Sequence, residues 1–206
     1  MNTDNLPFNW FDLVLVVVLV LGILQGRKRG MSEELLPVLQ WVAIMLACAF
    51  GYQPLGEWLT SVWQIFSPLF SFIVAYILIG LVVYLVFFVI KRGLHGKLIG
   101  SNVFGSGEYY LGMPAGMLRF ACVVMCGLAL LHARLYSQAE LRASEAYTQE
   151  YYGSDFFPGL HTLQVNVFEK SLIGPPIRDY LGFLLIKPTL PEGGKQIKQK
   201  EWKGPY

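Results

Sequence analysis

The chain has 206 residues, a formal net charge of +2 and an apolar fraction of 54%. Soluble domains contain about 45–50% apolar and about 25% charged residues, whereas only 15% of this chain is charged. A soluble fold of this composition would expose too much apolar surface to water, which argues against a soluble enzyme. The net charge is too small to favour a nucleic-acid partner.

Four apolar stretches approach the length of about 20 residues that a helix needs to cross a bilayer. They cover residues 8–24, 35–52, 65–90 and 109–131. The second and fourth could instead form buried or interfacial helices, but their length and flanking residues favour spans. We therefore predict an all-α integral membrane protein in which residues 1–132 form a four-helix transmembrane bundle.

The positions of the basic residues predict the orientation of the chain. Residues 1–10 contain no Lys or Arg, and three basic residues, at 27–29, follow the first apolar stretch. A cleaved signal peptide has the reverse order, so we expect a retained anchor. The loop 51–64 contains no Lys or Arg, whereas 91–107 contains three. Because short basic loops stay in the cytoplasm, we predict that the N-terminus and the C-terminal segment lie outside.

Small residues recur at steps of four, which places them on one face of a helix. The first and second apolar stretches each carry a ladder of three, and the fourth begins with a pair (Gly22, Gly26 and Gly30; Ala43, Ala47 and Gly51; Gly112 and Gly116). Small residues let membrane helices approach closely, so we predict that these positions are helix-packing contacts in a compact bundle. The bulky third stretch suits a position that faces lipid or another subunit.

Arg119 lies inside the fourth apolar stretch, and Asp12 lies near the start of the first. Ionisable residues at such depth are candidates for function because they are costly to insert. Arg119 could extend its side chain to lipid phosphate, or it could pair with Glu33 or Glu34 at the start of the second stretch. Asp12 suits the N-terminal end of a helix as a capping residue, and the alternative is a role in proton transfer.

The sequence contains no recognisable catalytic or metal-binding constellation. The three histidines are scattered without ligand spacing, and Cys48, Cys122 and Cys126 lie in apolar stretches, where they act as packing residues. No phosphate-binding loop, nucleophile elbow or pair of catalytic carboxylates occurs. We therefore expect neither enzymatic activity nor a cofactor.

Beyond residue 132 the pattern changes to shorter amphipathic pieces. Residues 133–187 have a helical composition that is interrupted by Gly-Pro-Pro at 174–176. Within them, the stretch 179–186 is too short to span a bilayer, and its aromatic residues between basic flanks are typical of an interfacial segment. We predict an extramembrane or interfacial helical segment, followed by a disordered tail at 188–206, which is rich in Pro, Gly, Lys and Gln.

Three segments stand out in chain order: FNWFDLVLVV, GRKRGMSEELLPVLQWVA and GEYYLGMPAGMLR. In this order and spacing they resemble the colicin V production protein (CvpA) family of bacterial inner-membrane proteins. A weaker match continues through residues 152–158, so the resemblance covers about residues 8–158.

The resemblance implies which residues carry the family pattern. They are Asp12, Gly26, Arg29, Gly30, Glu34, Gly112, Gly116 and Arg119. The chain departs from the pattern at Glu108, Tyr109 and Phe120, where the family has Asp, Arg and Gly. The candidate functional charges are accordingly Asp12, Arg29, Glu33, Glu34, Glu108 and Arg119. The family also implies a bacterial inner membrane and a link to toxin production, secretion or envelope homeostasis.

Two functions fit these observations. One is a non-enzymatic scaffold or accessory subunit, favoured by the glycine ladders and by the absence of a polar stripe. The other is a small homo-oligomeric transporter or channel component, favoured by Arg119 and Asp12. A transport pathway needs polar groups near the midplane, and the apolar stretches offer few of them. The expected partners are the lipid bilayer and either another membrane protein or a second copy of the chain, but no nucleic acid.

Overall fold

The structure, a computed structural model, describes residues 9–62, 67–94, 105–136 and 160–189. Four long helices come first: α1 (Trp10–Arg29), α2 (Met31–Val62), α3 (Pro68–Leu94) and α4 (Glu108–His132). Two short helices follow: α5 (Leu160–Phe168) and α6 (Gly174–Leu181). The four long helices are each long and apolar enough to cross a membrane, which confirms the predicted all-α fold with four candidate spans.

Helix α1 has a defined start and a defined end. At its start, the Asn9 side chain accepts a hydrogen bond from the Trp10 N–H at 2.7 Å, and Asp12 accepts one from the Asn9 N–H at 3.0 Å. This is a capping box, which satisfies N–H groups that a helix start leaves free. At its end, Gly30 has a φ of +79°, a conformation that glycine adopts without steric penalty.

Because Gly30 alone connects α1 to α2, the basic residues at 27–29 do not lie in a loop. Helix α2 begins at the very next residue, so the three basic residues at 27–29 form the last turn of α1 and not a loop as expected. Positive charge is favourable there because the C-terminal end of a helix carries partial negative charge. The basic group therefore lies where α1 ends and α2 begins.

Helix α2 extends beyond the predicted end of its span at residue 52, to Val62. It continues despite Pro54 within it, because this part of the helix packs against α3. The Tyr52 and Phe72 rings meet edge to face with centroids 6.0 Å apart. At about 1.5 Å per residue, the 32 residues of α2 span about 48 Å, which exceeds the roughly 30 Å hydrocarbon core of a bilayer.

The long helices are arranged so that α4 packs between α1 and α2, and α3 packs against α2. Much of α3 therefore faces outward: Ile77 and Leu81 are each 55% exposed and Val89 is 68% exposed. Apolar surface of this extent is compatible with lipid and unfavourable in water. The arrangement agrees with the predicted outward position of the third span.

The bundle has two distinct ends. We call the end where α1 and α3 stop and α2 and α4 start the basic end, because it carries Arg29 and Lys91. The described C-terminal segment, residues 160–189, packs on the opposite end. There, apolar side chains of the segment and of the long helices form one buried cluster (Phe11, Leu15, Leu128, Ala129, Val167, Phe168, Leu185 and Ile186 among others).

The C-terminal segment differs in detail from its predicted form. The Gly-Pro-Pro sequence at 174–176 does not interrupt a helix but forms the first turn of α6. Proline is tolerated there because the N–H that it lacks would have no partner within the helix. The piece predicted at 179–186 begins inside α6 and continues as a single 3-10 turn, Gly182–Leu184. Helix α6 thus starts several residues before the predicted piece.

The end of the described chain is also more ordered than its composition predicts. Thr189, assigned to the disordered tail, donates its N–H to the Ala133 carbonyl at 3.1 Å and accepts the Leu135 N–H at 3.2 Å. These two bonds fasten the chain beside the end of α4. The remainder of the predicted tail, and the helical composition predicted at 137–152, lie outside the described residues.

Candidate functional site

The glycines of α1 and α4 lie at one antiparallel helix contact. A Cβ added at Gly22 would lie 2.9 Å from the Gly116 carbonyl oxygen, and one added at Gly26 would overlap the Gly112 carbonyl. Contacts this short leave no room for a side chain at these positions. The two ladders that the sequence marks on α1 and α4 therefore face each other.

The small residues of α2 pack differently from the glycines of α1 and α4. A Cβ added at Gly51 would lie 2.9 Å from Cδ1 of Ile79 on α3, whereas Ala43 and Ala47 are only half-buried. The buried residues of this region are Ile44, Cys48, Ala49 and Tyr52. The α2–α3 contact also includes the neighbouring face, where a Cβ added at Gly80 would lie 3.5 Å from Sγ of Cys48.

Arg119 is buried at the junction of three helices. Its Nη1 lies 2.9 Å from Oε2 of Glu34 on α2, and its Nη2 donates to Oε1 of Gln25 on α1 at 2.8 Å. Arg119 is 8% exposed and Glu34 is completely buried. Of the two arrangements considered for Arg119, the structure has the ion pair with Glu34. This is an ion pair by its N–O distance. Neither oxygen of Glu34 accepts a well-aligned hydrogen bond from the described residues.

The position of Arg119 follows from its depth in the helix. It lies about three turns into α4, and a helical side chain is tilted toward the start of its helix. The guanidinium can therefore reach back toward the basic end, where α2 begins. It also lies 5.0 Å from the centroid of the Phe120 ring, a favourable cation–π distance.

Two further polar side chains extend this arrangement to all four helices. Arg29 of α1 lies with Nη1 3.6 Å from Oε1 of Glu34. Lys91 of α3 donates to Oε1 of Gln40 on α2 at 2.5 Å, and it interacts electrostatically with Arg119, Arg29 and Glu34. We call these six residues the polar layer (Gln25, Arg29, Glu34, Gln40, Lys91 and Arg119).

The polar layer includes residues that sequence reasoning did not select as site residues, namely Gln25, Gln40 and Lys91. The spacing could have indicated Gln25, because it lies one turn before Arg29 on the same face of α1. Gln40 is one of the few polar residues in the apolar stretches. No local signal pairs it with Lys91, since that contact depends on which helices are neighbours.

The remaining candidate charges lie outside the polar layer. Glu33 is exposed, so only one of the two adjacent glutamates takes part. Glu108 is half-buried at the start of α4, and a Cβ added at Gly30 would lie 2.8 Å from its Cγ. The third ladder glycine of α1 is therefore also close to α4.

Asp12 has a separate role at the opposite end. Besides the Asn9 N–H, its Oδ2 accepts the Leu172 N–H of the C-terminal segment at 3.1 Å. The Asn9 side chain in turn donates to the Asn166 carbonyl at 2.8 Å. The helix-capping interpretation of Asp12 agrees with this geometry, with Asn9 as the N-cap and Asp12 three residues later. The two residues also fasten the C-terminal segment to α1.

The cysteines pack inside the long helices. Cys48 is buried and its Sγ donates to the Tyr76 carbonyl of α3 at 3.3 Å, and Cys122 and Cys126 are free thiols. Within the described parts of the chain, no three His, Cys, Asp or Glu side chains are grouped so as to hold a metal ion.

Comparison with known proteins agrees with the geometry of the first four helices. The family described as Colicin V production protein matches residues 11–152, which include all of α1 except its first residue, α2 to α4 and the whole polar layer. No curated protein and no solved structure matches the chain significantly. Since the match covers more than half of the sequence, the chain belongs to the colicin V production protein family.

Proposed function

We propose that this protein is a non-enzymatic scaffold or accessory subunit of a bacterial inner membrane, supporting toxin production, secretion or envelope homeostasis. The observation that carries the proposal is the direct backbone contact of α1 and α4 through Gly22, Gly26, Gly112 and Gly116. Such a contact favours a rigid, closely packed body. It leaves no space between these two helices for a substrate.

The distribution of charge supports the same proposal. Among the described residues of the four long helices, the charged residues other than Arg119 lie toward one end or the other, and the Arg119 side chain reaches from the middle of α4 toward Glu34 at the basic end. A transport pathway would place polar groups around a site near the midplane. Short basic segments remain in the cytoplasm, so the proposed orientation places the basic end on the cytoplasmic side and the N-terminus outside.

A photo-crosslinking experiment tests the scaffold proposal. A crosslinking amino acid at the exposed Val82 of α3 reports on what covers that face in native membranes, and one at the buried Ala75 of the same helix is the matched control. A scaffold yields a discrete heterologous adduct, identified by mass spectrometry, from Val82 and none from Ala75. Exclusive lipid adducts, or adducts only to a second copy, would contradict the proposal.

The alternative is a small homo-oligomeric transporter or channel component. The observation that favours it is the buried Glu34–Arg119 pair, because ionisable residues within membrane spans often mark a path for ions or substrates. Reconstitution into liposomes separates the two functions. A scaffold produces no ion flux above that of empty liposomes, whereas flux that disappears in Arg119→Gln favours the transporter.

A further inference from the structure

The polar layer carries more positive charge than it can neutralise. It contains three cationic side chains and one carboxylate, Glu34, which is already within 2.9 Å of Arg119 and 3.6 Å of Arg29. Burying charge within a membrane is unfavourable unless an opposite charge lies close. These six residues therefore have an excess of about two positive charges, of which the half-buried Glu108 carboxylate next to Gly30 can offset about one.

The excess charge is located on Arg29 and Lys91. Arg29 retains 43% of its side-chain surface, and Lys91 is half-buried. The two cations repel each other, and Arg119 also repels Lys91. An anion that bound beside these side chains would relieve this repulsion, because opposite charge attracts both of them.

The surroundings of these cations indicate what kind of anion fits. Both lie in the last turn of a long apolar helix, the level at which lipid headgroups meet a membrane protein. One turn or so deeper, the exposed residues are apolar: Leu24 on α1 is 49% exposed, and Phe88 on α3 is 51% exposed. A cationic site on the same helices as exposed apolar side chains one to two turns deeper is complementary to a phosphate group that carries acyl chains.

We propose that the polar layer binds the phosphate of an anionic phospholipid through Lys91 and Arg29. Gln40 positions Lys91 for this contact through the hydrogen bond at 2.5 Å. Glu34 holds Arg119 and Arg29 without neutralising the whole layer. The site links all four long helices, so the bound lipid also stabilises the bundle.

Native mass spectrometry of the purified full chain in a neutral detergent tests the proposal. The probes are phosphatidylglycerol and phosphatidylcholine with the same acyl chains. Wild-type protein binds phosphatidylglycerol preferentially. Lys91→Gln weakens this binding about ten-fold, since it removes a direct charge-assisted hydrogen bond to the phosphate. Arg92→Gln removes the same charge from the adjacent exposed position and changes binding by less than about two-fold.

A substitute variant and a control with inorganic phosphate complete the test. If Lys91→Gln fails to fold, Arg29→Gln replaces it, with the exposed Arg27→Gln in the same turn as its control. Inorganic phosphate added alone must not displace the bound lipid. Equal binding of the two lipids, equal losses in layer and control variants, or displacement by inorganic phosphate would each overturn the assignment of an anionic lipid site.

Discussion

The Arg119 guanidinium of α4 lies 2.9 Å from the Glu34 carboxylate of α2, and Glu34 has no exposed surface. Because Arg119 also donates a hydrogen bond to Gln25 of α1, one side chain connects three helices at the basic end. Removing Glu34 would leave Arg119 buried without its carboxylate, and removing Arg119 would leave Glu34 only the more distant Arg29, at 3.6 Å. The ion pair and the Gln25 hydrogen bond therefore hold α1, α2 and α4 together at the basic end.

Reversing one charge of this pair is expected to destabilise the protein strongly. Arg119→Glu places two carboxylates together, and loss of a buried partner costs about 3–5 kcal/mol. Combining it with Glu34→Arg restores opposite charges and recovers part of the stability. The measurement is the melting temperature and the folded yield of each variant in detergent.

Glu33 provides the matched control for the charge reversal. It is adjacent to Glu34 but exposed, so Glu33→Arg should leave the melting temperature nearly unchanged. If the double variant is no more stable than Arg119→Glu alone, direct pairing does not account for the effect.

The glycine contact gives a second prediction, with both variants on α4. A Cβ added at Gly116 would overlap the Gly22 carbonyl, whereas one added at Gly127 would meet nothing within 4 Å. Gly116→Ala should therefore destabilise the protein by about 1–3 kcal/mol through overpacking. Gly127→Ala should stabilise it by about 0.5–1 kcal/mol because alanine loses less backbone entropy in a helix. Equal melting temperatures for the two variants would show that the close contact does not form.

Residue type and spacing predicted some of these relationships well. The four-residue steps of Gly22, Gly26 and Gly30 predicted a packing face, because step size alone places residues on one side of a helix. The depth of Arg119 predicted a carboxylate partner within reach, because few alternatives satisfy a buried guanidinium. Both inferences depend on local geometry and on the cost of burial.

Other relationships depend on the arrangement of helices in space and have no local signal. Nothing in the periodicity of α3 indicates that Lys91 contacts Gln40, since that requires α3 to pack beside α2.

The predicted start of α6 is wrong for a different reason. Consecutive prolines were interpreted as an interruption, although proline is also favourable in the first turn of a helix, and sequence position alone does not distinguish the two.

The third prediction concerns orientation. If basic segments remain in the cytoplasm, a membrane-impermeant maleimide added to intact cells should label Ser61→Cys and not Lys28→Cys. Both positions are exposed, at opposite ends of the bundle. Ser32, also at the basic end, is unsuitable as a reporter because it is buried.

The unaltered protein is the blank for this experiment, because Cys48 and Cys122 are buried and Cys126 is partly buried. After the cells are permeabilised, both variants should be labelled equally. Labelling of Lys28→Cys before permeabilisation would reverse the proposed orientation and place the polar layer on the outer side.

The fourth prediction concerns the bond between Asp12 and the C-terminal segment. Asp12→Ala removes the acceptor of the Asn9 and Leu172 N–H groups, and a hydrogen bond to a charged group contributes about 1.5–3 kcal/mol. Local release of the segment should therefore speed tryptic cleavage at Lys170 and Arg178 by about ten-fold or more, since 1.4 kcal/mol corresponds to a factor of ten.

The exposed Glu57 lies at the same end, so Glu57→Ala should leave the cleavage rate unchanged. Because the α1–α4 contact does not involve Asp12, the long helices should remain protected. Unchanged cleavage in Asp12→Ala would mean that the apolar cluster alone holds the segment in place.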